Sequence, residues 1–299
     1  MLTSLDHIII GVHDLDAAAR QFGDKLGLLP SGGGIHPVGG TTNRIIVIGE
    51  TYLELIAVHK PEEVQENMVQ RLALGEGFLN CVFSSDDIEA DSQAMRQRGV
   101  NVLGPMPGSL RSADGRERAW KRADIERPDL AQHYPFVIQH DSVGEERRMR
   151  LAGWSTPPEH PLGATKVRSV TLAVRDLAEA SQRFARIYGL QPSGPYSAAS
   201  QGIGAQMVSF TLGQGGQTVE LAAPAFEEKG PNALSDHLER FGESMYRMTL
   251  LVDNLTHARR YLDEHAVLYT TLASTQPLIW IDASQSCGAP IVLQQATLQ

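Results

Sequence analysis

The chain has 299 residues, of which 42% are hydrophobic and 20% are charged. Its net charge is −9, and no basic stripe stands out along the sequence. This length suffices for two domains that each bury a core, and the acidic balance argues against nucleic acid as a partner. No apolar run approaches the ~20 residues of a membrane-spanning helix, so we expect no membrane partner. The two cysteines, Cys81 and Cys287, lie far apart, and no signal-peptide pattern is visible. We therefore expect buried thiols in a soluble cytoplasmic protein.

The first unit along the chain reads as strand, helix and two strands. Residues 5–12 are a β-branched apolar run that predicts a buried strand. Asp14 stands at the N-cap position of a helix whose apolar residues repeat at helical spacing as far as Leu26. Residues 32–42 are rich in glycine and predict a loop. Residues 43–48 and 51–58 predict two strands that are joined by a tight turn.

The second unit repeats this order. Residues 79–84 predict a strand, and residues 88–98 predict a helix that begins after the capping pair Asp86-Asp87. Further strands are predicted at 118–123 and 135–140. Residues 111–122 contain a basic cluster, Arg111, Arg116, Arg118, Lys121 and Arg122. We expect this cluster to be a solvated hairpin, with attraction of an anionic substrate as the alternative.

The sequence of the first half of the chain is repeated in the second half. Leu5–Leu15 reappears in register as Val167–Leu177, and Leu53-Glu54-Leu55 reappears as Val219-Glu220-Leu221. A repeat this long is a duplicated domain rather than a solenoid unit. We therefore expect one domain over residues 1–150 and a second over residues 165–299. The proline-rich residues 151–164 between them predict a stiff linker.

Four such units predict an α+β fold. Each unit is a βαβββ module, and paired modules form two domains with cup-shaped, mostly antiparallel sheets. Concave mouths of this kind are the usual sites for small molecules, so a small-molecule substrate is the expected partner. Pairing of exposed sheet edges into a homodimer stays open.

The opening strand and helix, with Leu5-Asp6-His7 and then Leu26-Gly27-Leu28, resemble the vicinal-oxygen-chelate superfamily. This superfamily contains glyoxalases, extradiol dioxygenases, and bleomycin- or fosfomycin-resistance proteins. The stretch from Gly32 to Arg44 is similar to its glyoxalase-like domain group. The resemblance implies two glyoxalase-like domains. It also implies a divalent metal at the floor of a cup, held by ligands from the first and last strand of each paired module.

Carried over by position, the resemblance implies His7 and Glu54 as metal ligands. Imidazole and carboxylate donors suit Fe, Mn, Ni or Zn. The second module departs from the pattern, because its first-strand position falls at or near Asn80 and its last-strand position falls within residues 137–139. His140 and His36 are then the candidates for a third ligand. The alternative is that no metal binds, with His7 a strand histidine and Glu54 a polar group of the pocket.

Other polar residues are candidates for substrate binding and catalysis. Glycines let backbone approach a ligand closely, so residues 32–44 are expected to present His36, Thr41 and Asn43 to a polar substrate, or else to form a surface loop. Asn80 and Gln139 are the substrate-binding candidates of the second module. Without a metal, Glu54 or His36 is the candidate general base.

The second domain departs further from the superfamily pattern. Ser169 stands where the first domain has His7, and Arg247 stands near the other first-strand position, so only Glu220 remains. We expect no metal site there, and an ion pair between Glu220 and Arg247. The leading hypothesis is an enzyme of lyase, isomerase or ring-cleavage type that acts on a small oxygenated metabolite in the N-terminal cup. The alternatives are a non-catalytic protein that sequesters a small molecule, as resistance proteins do, and an assembly scaffold.

Overall fold

Four modules follow one another along the chain. The computed structural model describes residues 1–112, 114–126, 134–197, 203–225, 233–272 and 276–297. The first module consists of β1 (Leu2–Gly11), α1 (Leu15–Arg20), β2 (Ser31–Ile35), β3 (Thr41–Ile48) and β4 (Thr51–Val58), and a π-helical turn, Gln21–Lys25, extends α1. Helix α2 (Glu66–Ala73) leads to the second module: β5 (Gly77–Ser85), α3 (Ile88–Gln97), β6 (Val102–Arg111), β7 (Glu117–Ile125) and β8 (Phe136–His140).

The second half of the chain repeats the pattern after α4 (Gly144–Ala152). Its third module consists of β9 (Ala164–Ala173), α5 (Leu177–Tyr188), β10 (Tyr196–Ser197), β11 (Ala205–Leu212) and β12 (Gln217–Pro224). Helix α6 (Ala233–Phe241) leads to the fourth module: β13 (Ser244–Val252), α7 (Leu255–Glu264), β14 (Tyr269–Leu272), β15 (Leu278–Ile281) and β16 (Ile291–Gln295). None of the helices in the described ranges is long and apolar enough to cross a membrane.

Side-chain caps explain where the module helices begin. The carboxylate of Asp14 accepts hydrogen bonds from the backbone of Asp16 and Ala17 at 3.0 and 2.9 Å. Asp87, Asp176 and Asn254 cap α3, α5 and α7 in the same way. Each cap satisfies backbone N–H groups that have no partner in the first turn. The helix starts predicted in the first and second units are therefore confirmed.

The strands form two curled eight-stranded sheets, in the orders β2-β3-β4-β1-β5-β8-β7-β6 and β10-β11-β12-β9-β13-β16-β15-β14. The pairs β1–β4 and β5–β8 are parallel, and the other pairs of the first sheet are antiparallel. The α+β fold of four βαβββ modules in two glyoxalase-like domains is thus confirmed. The concave face of the first sheet is called the first cup below, and that of the second sheet the second cup.

The prediction of a loop over residues 32–42 is wrong for its first residues. Ser31–Ile35 forms strand β2, which pairs with β3 at the edge of the first sheet. Gly33 has a φ of +130°, and a Cβ there would lie 2.1 Å from the carbonyl oxygen of Asn43. Glycine is therefore required for β2 to approach β3 so closely.

The two halves share one hydrophobic core. Phe83 of β5 packs against Phe184 and Tyr188 of α5, with ring centroids 6.2 and 4.9 Å apart. The segment between the halves also packs inward, because Leu162 is buried. His160 in the same segment lies 2.7 Å from the carbonyl oxygen of Val47 and accepts the N–H of Leu29 at 3.0 Å.

Candidate functional site

A cavity of about 350 Å³ opens in the first cup. The polar side chains of its lining include His7, His36, Thr41, Glu54, Arg118 and His140. Apolar side chains, including Ile9, Ile56, Trp120, Phe136 and Ile138, form much of the rest. Cavities of this size with a few convergent polar groups are typical binding sites for small molecules.

Glu54 lies in the middle of β4 and is only 7% exposed. The Asn43 amide donates a hydrogen bond to its Oε1 at 2.5 Å, and His36 Nε2 lies 3.5 Å from the same oxygen. Oε2 lies 3.7 Å from His7 Nε2. Burial raises the pKa of Glu54, but the His36 and His7 rings, the Asn43 hydrogen bond and the Arg118 charge together lower it below its ordinary value. Glu54 is therefore an ionised carboxylate at neutral pH.

Asn43 and Thr41 hold the neighbours of this carboxylate. Asn43 is fully buried, and its side-chain oxygen accepts the backbone N–H of Gly34 at 2.9 Å. Asn43 lies behind Glu54 and does not line the cavity, whereas Thr41 does. His36 Nδ1 lies 2.8 Å from the hydroxyl of Thr41. Burial lowers the pKa of His36 by more than the Glu54 charge raises it, so this ring is neutral at neutral pH.

A buried carboxylate that the sequence analysis missed, Asp6, lies beneath the first cup. It lies 2.7 Å from His7 Nδ1 and 3.2 Å from His140 Nε2, and it accepts a hydrogen bond from Arg147 at 2.9 Å. Burial raises the pKa of Asp6, but Arg147, His140 and the hydrogen bonds hold it well below its ordinary value. An ionised carboxylate only accepts hydrogen bonds, so His7 Nδ1 carries a proton and, in the neutral ring, Nε2 is the free acceptor. Tyr52 stacks on this ring with centroids 4.6 Å apart.

The alternation of side chains along β1 does not predict where Asp6 lies. The pairing of β1 with β5 shifts register between Leu5 and His7, which is a β-bulge at Asp6. Strict alternation would place Asp6 and His7 on opposite faces of the sheet. The bulge instead lets both neighbours bond to each other at the floor of the first cup.

Arg118 is a further site residue, and the sequence pattern predicted a different role for it. Arg118, Trp120 and Arg122 alternate along β7 and line the cavity. Arg122 is paired with Asp124 at 2.6 Å. Arg118 is 6% exposed, and its side chain forms no hydrogen bond or ion pair with any residue that the structure describes. The expectation of a solvated hairpin is therefore wrong for Arg118.

Asn80 and Gln139, predicted to bind substrate, lie outside the cavity. The Asn80 amide donates to the carbonyl of Tyr134 at 3.0 Å. The Gln139 side chain accepts the N–H of Ile88 at 3.0 Å and donates to the carbonyl of Asp86 at 2.8 Å, which ties β8 to the start of α3. Gln295 makes the same two bonds at the start of α7, to Leu255 and Asp253. Because both domains use this device, Gln139 serves the fold.

The donors of the first cup do not fit a metal ion held by His7 and Glu54 with either His36 or His140 as the third ligand. His7 lies opposite Val82 of β5, and Ile138 of β8 occupies the position that corresponds to Glu54. Neither Val82 nor Ile138 has a donor atom, and His140 Nε2 faces Asp6. In the described ranges no three His, Cys, Asp or Glu side chains are placed to hold a metal.

In the second cup, Glu220 occupies the position that corresponds to Glu54 and has different neighbours. Glu220 lies 3.8 Å from the Arg247 guanidinium and accepts a hydrogen bond from Thr171 at 2.7 Å. Arg247 is almost fully buried and also donates to the Thr171 hydroxyl at 3.1 Å. The predicted ion pair between Glu220 and Arg247 is therefore present, and it satisfies the carboxylate from within the protein.

Comparison with known proteins agrees with this fold. Residues 5–188 match the family model described as "Glyoxalase-like domain", and residues 169–271 match the model of the "Glyoxalase/Bleomycin resistance protein/Dioxygenase superfamily". The first match spans more than half of the chain, so the chain belongs to the glyoxalase-like domain family. This confirms its place in the vicinal-oxygen-chelate superfamily. No curated protein matches the chain.

Two solved structures share the whole two-domain fold. A hypothetical protein from Staphylococcus aureus superimposes with a TM-score of 0.69 at 15% identity, over 99% of this chain and 100% of that one. A mutant of 4-hydroxymandelate synthase from Streptomyces coelicolor superimposes with a TM-score of 0.67 at 13% identity, over 98% of this chain and 92% of that one. At such low identity these similarities show the fold alone.

Proposed function

We propose that the first cup binds a small oxygenated metabolite and moves a proton at a carbon next to its carbonyl group. This is a reaction of isomerase or lyase type, with Glu54 as the general base. The observation that carries the proposal is the state of Glu54. It is a buried, ionised carboxylate at the wall of a cavity, and its Oε2 accepts no hydrogen bond from the residues that the structure describes.

A base must be deprotonated and within reach of the proton that it takes. Glu54 meets the first condition at neutral pH, and Asn43 holds its Oε1 so that Oε2 stays available. In the proposed step the proton passes from the substrate carbon to Oε2. The electron pair of the broken C–H bond moves toward the carbonyl oxygen and gives an enolate. Return of a proton to the same or a neighbouring carbon restores the charge balance and frees Glu54.

Two versions of the function expected from the sequence receive no support from the site. Metal-assisted chemistry and ring cleavage would need a donor set that Val82 and Ile138 do not supply. Sequestration without turnover remains the alternative outcome, because an unreactive ligand would fill the same cavity.

Hydrogen–deuterium exchange tests the proposal before the natural substrate is identified. The protein is incubated in D₂O with carbonyl compounds such as 2-oxopentanoate, pentan-2-one and hydroxyacetone, with and without EDTA. The loss of the C–H signal next to the carbonyl is followed by proton NMR. We expect exchange above the buffer rate for at least one compound, unchanged by EDTA. A compound that binds in the first cup but is recovered unexchanged would indicate a sequestering protein, and loss of exchange in EDTA would indicate a metal.

A further inference from the structure

We propose that the substrate of the first cup carries a carboxylate next to its carbonyl group, and that Arg118 binds this carboxylate. The inference rests on the proposed function, since it names the class of molecule on which Glu54 would act. An oxo acid with a small apolar substituent has the required chemistry.

The state of Arg118 carries the inference. Its side chain lines the cavity, is more than nine-tenths buried, and forms no hydrogen bond or ion pair within the described part of the chain. Its guanidinium carbon lies 6.0 Å from the centroid of the Trp120 ring. Guanidinium groups stay protonated in proteins, and a buried charge without a partner is costly. A bound anion would supply the missing partner.

Other arginines that are buried or partly buried have partners within the described part of the chain. Arg71 donates to two backbone carbonyl oxygens at 2.8 and 3.1 Å. Arg147 is paired with Asp6 at 2.9 Å, and Arg247 lies 3.8 Å from Glu220. Burial of an arginine in this fold is therefore ordinarily matched by an internal acceptor, and Arg118 departs from that rule at the wall of the cavity.

The charges of the cavity favour a carboxylate over a phosphate. Arg122, the other arginine of the wall, is already neutralised by Asp124 at 2.6 Å. Arg118 is left as a single cation facing the same cavity as the anionic Glu54, which a dianionic phosphate would approach unfavourably. The planar fork of a guanidinium also matches the two oxygens of a carboxylate. Arg118 of β7 and Glu54 of β4 line the same cavity, so a ligand anchored on Arg118 faces the proposed base.

The rest of the cavity fits an apolar substituent. Trp120, Phe136 and Ile138 line the wall beside Arg118 and offer no charge to a ligand. A ligand that places its carboxylate on Arg118 would therefore direct its apolar part along these side chains. Its carbonyl and the adjacent C–H would then lie between Arg118 and Glu54.

A matched pair of probes isolates the contribution of the carboxylate. 2-Oxopentanoate and pentan-2-one differ only in that a methyl group replaces the carboxylate. Binding of each probe, and of inorganic phosphate, is measured by NMR titration against the wild type, Arg118→Met, Arg118→Lys and the control Arg111→Gln. Arg111 carries the same charge on the same hairpin, but its side chain is 72% exposed and outside the cavity.

We expect the wild type and Arg111→Gln to bind 2-oxopentanoate at least tenfold more tightly than pentan-2-one. Arg118→Met should abolish this preference, and Arg118→Lys should retain part of it. Equal affinity for both probes in the wild type, an unchanged preference in Arg118→Met, or displacement of 2-oxopentanoate by inorganic phosphate at lower concentration would overturn the inference.

Thermal unfolding separates loss of binding from loss of fold. Because Arg118→Met removes an unpaired buried charge, its Tm without ligand should equal or exceed that of the wild type. A clear fall in Tm would mean that Arg118 is structurally paired and would also overturn the inference. Glu54→Gln distinguishes the two proposals: it should lose exchange yet keep the preference for the carboxylate. In the wild type, exchange without a preference for the carboxylate would count against Arg118 alone. A preference for the carboxylate without exchange in the wild type, or exchange that persists in Glu54→Gln, would count against Glu54 alone.

Discussion

Asp6→Asn is expected to destabilise the protein strongly, because the Asp6 carboxylate joins three side chains beneath the first cup. The substitution keeps the shape of the side chain but removes its charge. Arg147, which donates to Asp6 at 2.9 Å, then loses its ion-pair partner, and the new amide group presents donors to His7 and His140. Removing one partner of a buried ion pair costs about 3–5 kcal/mol. We expect the free energy of unfolding to fall by about that amount.

Urea unfolding followed by far-UV circular dichroism measures this loss. Arg147→Met and the double variant complete a thermodynamic cycle, in which the double variant should lose less than the two single variants together by at least about 1 kcal/mol. A loss below about 1 kcal/mol for Asp6→Asn, or additive losses in the cycle, would refute the assignment of Asp6 as a buried ionised partner of Arg147.

Three further changes in stability are expected, each measured by the same urea unfolding. Asn43→Ala should cost about 2–3 kcal/mol, because the ionised Glu54 loses a buried donor; an unchanged midpoint would contradict the role of Asn43. His160→Ala should cost about 2–4 kcal/mol, since two buried backbone groups lose their partner, and a cost near zero would mean that the segment is not held there. Burial lowers the pKa of His237 from 6.5 to about 4. The unfolded state therefore binds more protons between these values, and stability present above pH 6.5 should be lost as the pH falls toward 4. His237→Asn should flatten this slope, and an equal slope in both proteins would contradict the prediction.

The sequence predicted the fold well because its signals are local. Apolar periodicity and the capping side chains Asp14 and Asp87 mark the elements of each module without reference to the rest of the chain. Strand β2 was missed because three of its five residues are glycines, which carry no strand signal.

The site was only partly predictable because much of it depends on tertiary packing. The resemblance to the superfamily singled out His7 and Glu54, and the structure places both at one cavity. A bulge places Asp6 at the floor, and bulges leave no mark in the alternation of residue types. Arg118 reads as one of several charges in a polar stretch, and only the packed sheet shows that it is buried.

The most direct test of the account compares Glu54→Gln with Glu220→Gln in the exchange assay. The two residues occupy corresponding positions in the repeat, but Glu54 faces a cavity while Glu220 is paired with Arg247. Loss of a general base should lower the rate of exchange about 10²–10⁴-fold in Glu54→Gln, whereas Glu220→Gln should leave the rate unchanged. Equal rates in the two variants, or a larger loss in Glu220→Gln, would contradict the assignment of the first cup as the working site.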